Sequence, residues 1–575
     1  MAGLFQEIWC CDFEFQGDPG ESPKPVCMVA RELHTGRTIR LWRDDLLKLR
    51  HAPFETGARS LFVAFFASAE LGCFLELGWP MPANILDLYV EQRQATNGLR
   101  TISGSGLIGT LTAYGLAHID TGEKEAMRRL VLERANWSSE EREAILEYCA
   151  SDVDALVALL PKMLAHIDLP RALLRGRYMA AVAKMERTGV PLDTKALQRL
   201  SGNWAELKQI LIAEVDRNYR VFEGGSFSRT LFEDYLIREG IDWPRSEKGV
   251  LLLDKDTFKS RALAYPQLEA LRLLRKTLGE LRLNDLAVGR DGRNRYLLSP
   301  FGTRTGRNAP SNSRGIFGPA RWLRGLIQPP PSHGLAYIDW ASQEIAIAAA
   351  LSCDERLLQG YASGDPYISF AKTAKLVPAD ATKSSHKLIR DRCKAVVLGV
   401  NYGMGPDALA ASLGMAPIEA RDLLRLHRET YPRFWAWSEA VVDSALLSGE
   451  MHTVFGFKLH VGRDTNARQL MNWPMQATGA EMMRAAAIAA TEAGIEVCTP
   501  IHDAFLICAP LDQIDAKVLE MRSIMQMAGR AVLGGVDVRT DVDIVRWPDR
   551  YKDNAGGAMW ETVMRLQGQL DMARQ

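Results

Sequence analysis

A chain of 575 residues and 64.0 kDa has room for several domains with substantial cores, and its 47% hydrophobic and 24% charged content is that of a globular protein in water. No apolar run approaches the roughly 18–20 residues that cross a bilayer, and the first ten residues lack a basic stretch followed by a long apolar one, so neither a membrane partner nor export is expected. The 70 basic side chains equal the 70 acidic ones, which excludes a uniformly basic nucleic-acid binder but not a locally basic one, and nine scattered cysteines without a CxxC pair suit reduced thiols in a cytoplasm better than disulfides or zinc.

Residues 1 to 165 alternate short apolar runs, such as Leu61 to Phe66, with helical stretches, the pattern of a compact α/β domain. Near its start, Cys11-Asp12-Phe13-Glu14 sets two carboxylates on one face of a strand, close enough to share a metal. Further acids follow at Glu70, in Ala67-Ser-Ala-Glu70-Leu, and at Asp87, in Ile85-Leu-Asp87-Leu. A helix should open at Ser138, where Glu141 completes a capping box, and Tyr148 and Asp152 then fall on one of its faces.

Apolar spacing makes residues 170 to 285 mostly helical. From Arg272 to Arg324 the chain carries Arg275, Lys276, Arg282, Arg290, Arg293, Arg295, Arg304, Arg307, Arg314 and Arg321 against only Glu280, Asp285 and Asp291. Up to Arg282 this fits a solvated helix face; beyond Arg290, where Gly and Pro interrupt the pattern, it suits contacts to a phosphate backbone. A Gly/Pro-punctuated stretch, 289–331, leads into the apolar run Leu335 to Ile338 and then Asp339. Residues 343–450 read as helices, one of which presents Arg390 and Lys394 four apart, and the remainder mixes strands and helices around Val497 to Ile501 and Asp503. Two carboxylates at neighbouring strand ends can hold two Mg²⁺ ions about 3.5–4 Å apart for in-line displacement at phosphorus. Two cations on one helix face can grip a triphosphate. Alone, an Asp after a strand is usually a turn or cap residue; it is the joint order of these groups that suggests nucleotidyl transfer.

The carboxyl half resembles the family A DNA polymerases over nearly all of residues 175–545. Met185-Glu-Arg-Thr-Gly-Val-Pro-Leu-Asp193 looks like the entry into the thumb, and Thr305-Gly306-Arg307 like the TGR element. Asp339-Trp-Ala-Ser-Gln-Glu344 looks like motif A, Arg390-Asp-Arg-Cys-Lys394 with Tyr402-Gly403 like motif B, and Ile501-His502-Asp503 like motif C. Arg468, Asn472, Pro474 and Gln476 match the spaced R-x-x-x-N-x-P-x-Q element. The resemblance implies a right-hand polymerase core in which Asp339 and Asp503 bind two Mg²⁺ (Mn²⁺ able to substitute) and Lys394 and Arg390 hold the dNTP phosphates. It implies that Glu344 excludes ribonucleotides, that Tyr402, Leu398 and Tyr367 line the dNTP site, and that Arg307, Arg468, Asn472, Gln476 and His502 contact primer-template DNA. The minor groove carries acceptors in every Watson–Crick pair, so side chains there can test pair geometry without reading sequence.

Three positions depart from the pattern: Ala504 stands where a Glu usually follows His-Asp, Leu398 where motif B has an aromatic, and Tyr367 where the fingers have a His. The amino-terminal domain resembles the RNase H-like 3′→5′ proofreading exonuclease of the same polymerases. That implies two metals on Asp12, Glu14 and Asp152, with Tyr148 orienting water and Glu70 (Asp87 as the alternative) in place of the remaining Asp. The expected multidomain α/β architecture is exonuclease 1–169, thumb 170–299, palm 300–345 and 451–575, and fingers 346–450. The expected activity is DNA synthesis with proofreading, of the phage-replicase type, in the cytoplasm (the host's, if phage-encoded). The alternative is a 3′→5′ exonuclease whose polymerase half only binds DNA.

Overall fold

The computed structural model describes every residue except 1–3, 102, 118–120, 280–282, 312, 319 and 575, so Glu280 and Arg282 of the basic tract lie outside the described residues. The amino-terminal unit is built on a five-stranded mixed sheet of β1 (Glu7–Gln16), β2 (Lys24–Glu32), β3 (Thr38–Trp42), β4 (Ser60–Ala64) and β5 (Ile85–Asp87) in the order β3-β2-β1-β4-β5. The first three strands are antiparallel, and β4 and β5 run parallel to β1. Every residue of β4 is buried, as expected of a central parallel strand covered on both faces. Helix α1 (Ala67–Leu77) covers one face with Leu71 and Phe74, beside Trp9, Cys11 and Phe13. After α2 (Leu88–Thr96) and α3 (Thr121–Glu133), α4 (Ser139–Met163) covers the other face with Ile145, Cys149 and Val153 against Ile8 and Cys10. Ser138 and Glu141 form the capping box that the sequence announces.

Helix α5 (Leu169–Thr188) joins this unit to the rest of the molecule. Its Gly176 passes so close to β5 that a Cβ there would lie 1.9 Å from the Ile85 carbonyl oxygen, which is why the position has no side chain. One residue earlier, Arg175 makes a buried two-pronged ion pair with Glu91 of α2, both bonds 2.7 Å. Helix α6 (Thr194–Asp216) follows, and helices at Arg229–Arg238 and Lys255–Ala264 close a small aromatic core around Phe232, Trp243 and Phe258.

The second sheet has four strands, β6 (His333–Trp340), β7 (Glu496–Ile501), β8 (Ala504–Pro510) and β9 (Thr540–Arg546), all antiparallel in the order β7-β8-β6-β9. Between β6 and β7 the chain is nearly all helix: α7 (Gln343–Ser352), α8 (Pro366–Thr373), α9 (Lys387–Asn401), α10 (Pro417–Thr430), α11 (Pro432–Ser448) and the 26-residue α12 (Ala467–Glu492) stand out. Helices α12 and α13 (Ile514–Val532) back the sheet with a row of buried Met and Ala, into which Ala336 and Ile338 of β6 point. Among the described residues no helix is long and apolar enough to cross a membrane, and all nine cysteines are free thiols.

Candidate active sites

In β6, even-numbered residues enter the core, so Leu335, Tyr337 and Asp339 share the opposite face. Asp339 lies directly across from Ala504 of β8 and from Asp541 of β9. Asp503 occupies the two-residue turn between β7 and β8, one residue short of the strand; His502 before it takes a left-handed conformation, φ 54°. The Trp340 N–H donates to the Asp503 carbonyl at 3.2 Å, tying the hairpin to the end of β6. Burial, then the neighbouring charges of Asp503, Asp541 and Asp543, push the Asp339 carboxyl up to about 6. Burial also raises Asp503, opposed by Arg307 and His502. Arg307 and His502 line one cavity of about 350 Å³, along with Asn308, Ser311 and Pro500.

Helix α9 carries Arg390 and Lys394 one turn apart, but they are not equally free. Asp365, which caps α8 by accepting from the Tyr367 and Ile368 N–H groups at 3.1 and 3.2 Å, also takes the Arg390 guanidinium Nε–H. Buried Tyr367 is the floor beneath both cations: the Arg390 guanidinium carbon is 5.1 Å and the Lys394 ammonium 5.8 Å from its ring centre. The sequence reading missed Asp365 as a partner of Arg390, although Asp365-Pro366 is a recognisable cap followed by Pro at the first helical position.

Glu344, Tyr402 and Gln476 come from α7, the end of α9 and α12 and meet at one point: the Tyr402 hydroxyl donates to Glu344 Oε1 at 2.9 Å, and the Gln476 amide donates to the same oxygen and to the Tyr402 hydroxyl. Asn472 donates to the Asn401 carbonyl at 3.0 Å. Gly403, at φ 62°, allows the Arg468 side chain to lie across it. Leu398 is half-buried against the core. The basic tract divides in two. Arg272, Arg293, Arg295 and Arg324 are held by Glu269, Glu496, Asp291 and Asp553, whereas Arg304, Arg307, Arg314 and Arg321 have no ion pair among the described residues.

In the amino-terminal unit, Asp12 and Glu14 of β1 face α4, and their carboxylates lie with that of Asp152 so that one oxygen of each falls within 4.8 Å of the others. Lys124 of α3, which the sequence reading did not single out, pairs with Asp152 at 3.0 Å and sits 5.7 Å from the Tyr148 ring centre. Burial and the adjacent Asp152 push Glu14 up to about 8; burial, Asp152 and Glu14 push Asp12 well above the usual carboxylate range. Glu70 is buried beside them, its Oε2 accepting the Phe13 N–H at 2.8 Å, but it stands outside the three-carboxylate group. Asp87 is spent elsewhere: its carboxylate accepts the N–H groups of Phe66, Ala67, Tyr89 and Val90 at 2.8–3.4 Å, closing two chain turns.

Comparison with known proteins fits this geometry. Residues 309–547 match the model of DNA polymerase family A. The chain is 27% identical over 382 residues to a thermostable DNA polymerase I of Thermus aquaticus, covering 60% of this chain and 44% of that one. It is 25% identical over 482 residues to DNA polymerase I of Synechocystis sp., covering 78% and 46%. It thus spans less than half the length of these curated relatives. In fold it superposes on the POL domain of Pol1 from M. smegmatis, solved in complex with DNA primer-template and dNTP, with a TM-score of 0.72, 18% identity and 95% and 96% of the two chains covered. That coverage carries the likeness in fold into the amino-terminal sheet.

Proposed function

We propose that this chain, whose residues 309–547 match the model of DNA polymerase family A, is a template-directed DNA polymerase that extends a primer 3′-end with dNTPs and proofreads with a 3′→5′ exonuclease. The observation that carries the reading is the meeting of Asp339 and Asp503 at one end of the four-stranded sheet. The β6–β9 sheet corresponds to a palm (300–345 and 451–575), the helices between β6 and β7 to fingers (346–450), and residues 170–299 to a thumb. Phage DNA replication is the proposed setting, on the likeness of the motif variants.

The donor set fits Mg²⁺. Asp339 and Asp503 are hard oxygen ligands with no ion-pair partner among the described residues, and Asp339 is pushed up by burial and then by its neighbours' charge, the second of which a divalent cation relieves. When bound, two such ions supply a nucleophilic 3′-oxygen and neutralise the triphosphate. The chain's own part is positioning. Lys394 presents its ammonium to the phosphates from the Tyr367 floor, and Arg390 joins it by exchanging Asp365 for phosphate oxygens. Glu344, held by Tyr402 and Gln476, blocks the space a 2′-hydroxyl would occupy. In the amino-terminal unit Asp12, Glu14 and Asp152 form an all-oxygen cation site, and Tyr148 lies one helical turn from Asp152 to orient water.

The test follows a 5′-labelled primer on a longer template with Mg²⁺, with and without dNTPs. Extension is expected to vanish in Asp339→Ala alone and shortening in Asp12→Ala alone. Shortening without extension by the wild type under every nucleotide condition sinks the polymerase reading and favours a 3′→5′ exonuclease. Extension without shortening sinks the proofreading reading.

A further inference from the structure

Asp339 sits between two strands, and its two cross-strand neighbours differ in kind. On the β8 side stands Ala504, which has no polar group; on the β9 side stands Asp541. Residues directly opposite in an antiparallel pair put their side chains on the same face, with Cβ atoms about 5 Å apart. Two carboxylates so placed repel and weaken the sheet, and a cation bound between them would offset that repulsion. Among the described residues neither Asp541 nor Asp339 has an ion pair to offset this repulsion. Arg539, just before β9, makes no ion pair with either Asp among the described residues; it donates to the Tyr361 carbonyl at 3.2 Å and stacks 5.0 Å from that ring. Backbone hydrogen bonds fix the geometry on both sides. The Ala341 N–H donates to the Arg539 carbonyl at 2.8 Å, holding the start of β9 to the end of β6, and the Trp340 N–H holds the Asp503 turn. Asp541 is exposed at this open end of the sheet, where DNA and nucleotide would enter.

We propose that Asp541 is the third carboxylate of the polymerase metal site, acting from β9 where β8 offers only Ala504. This rests on the polymerase reading of Asp339 and Asp503. Asp541 is a positioning residue: it strengthens cation binding at Asp339, directly or through a cation-bound water, and does not touch the reacting phosphorus.

The test measures Mn²⁺ binding, not turnover. Full-length protein carrying Asp12→Ala, to silence the amino-terminal site, is assembled with a dideoxy-terminated primer-template and the matching dNTP. It is then titrated with Mn²⁺ while free ion is read by electron paramagnetic resonance. Asp541→Asn, nearly isosteric at an exposed position, is expected to weaken binding about tenfold, the size of effect typical for carboxylates supporting a metal site. Asp549→Asn, in the turn after β9, should leave it unchanged. Ala504→Glu projects a carboxylate onto the same face from the other side, so adding it to Asp541→Asn should recover affinity to within about threefold. If Asp339→Asn weakens Mn²⁺ binding and Asp541→Asn does not, this inference is overturned and the polymerase reading stands. If neither variant weakens it, both are overturned.

Discussion

Two carboxylates in the amino-terminal unit, Glu70 and Asp87, are equivalent on paper and opposite in the folded chain. Asp87 is a structural acceptor for four backbone N–H groups, so Asp87→Ala leaves buried donors without partners at the head of α2 and the approach to α1. A loss of about 3 kcal/mol is expected, visible as a lower melting temperature. Glu70 keeps one such bond, to Phe13, and its remaining oxygen is unused beside Asp12 and Glu14. Glu70→Gln can still accept from Phe13 while removing a charge that burial and those two carboxylates disfavour. Its melting temperature should therefore match or exceed the wild type, while primer shortening falls at least about tenfold. A Glu70→Gln protein that shortens primers at the wild-type rate would remove Glu70 from the proposed nuclease site. The sequence offered both acids because an Asp or Glu after an apolar run reads alike whether it caps a helix or awaits a cation; only the positions of the backbone donors distinguish them. Lys124 was illegible for a related reason, since its partner Asp152 is 28 positions away and no local pattern links them.

At the scale of elements, local rules carried far. The Ser138–Glu141 box, the alternation in β1 and the helical run between the two carboxylate strands are short-range patterns, and each appears where the spacing places it. Pairing across strands was not legible: that Asp541 faces Asp339 depends on β9 returning beside β6 from some 200 residues away. The packing of α10 against α11 gives a test at this scale. His427 is buried among Phe370, Tyr431 and Phe434, and its Nδ1 accepts the Trp435 indole N–H at 3.1 Å. Burial lowers its imidazole from 6.5 to about 3. The unfolded chain therefore takes up a proton below pH 6.5 that the native chain refuses until about pH 3, so this group costs stability as the pH falls through that window. At pH 5 the cost is about 2 kcal/mol. Glu14, raised from 4.5 to about 8, acts with the opposite sign as the pH falls from about 8 to 4.5, because the native state binds its proton first. Only a difference between proteins isolates the histidine. Between pH 7.5 and pH 5 the wild type should lose about 2 kcal/mol more than His427→Gln, whatever the absolute stability of the variant. Equal losses in urea melts at the two pH values would mean that the imidazole is not held neutral.

For the whole molecule, the question is whether the two units are coupled or merely joined. Domain contacts within one chain usually permit independent motion unless they are large and apolar. Here α5 belongs to both units. It packs on α1 and β5 through the Gly176 approach and on α12 and β7 with its other side, while α2 reaches across by other routes. Asn97 donates to the Arg304 and Lys458 carbonyls at 2.9 and 2.6 Å, and Arg93 holds the Phe301 carbonyl at 3.0 Å. The ion pair between Glu91 and Arg175 is buried in the middle of this contact, with side-chain exposures of 3% and 9%. A buried pair of this kind contributes little over an apolar replacement, but breaking it strands a charge at a cost of about 3–5 kcal/mol. Scanning calorimetry of the wild type should accordingly show one cooperative transition involving both units. Glu91→Ala should lower the melting of the amino-terminal unit and split the transition in two, and Glu91→Met with Arg175→Met should restore the single peak by refilling the contact without charge. Two transitions in the wild type would show that the units fold separately. The proposed editing and synthesis sites would then be linked by chain alone, and α5 would not be the rigid member that fixes the distance between them.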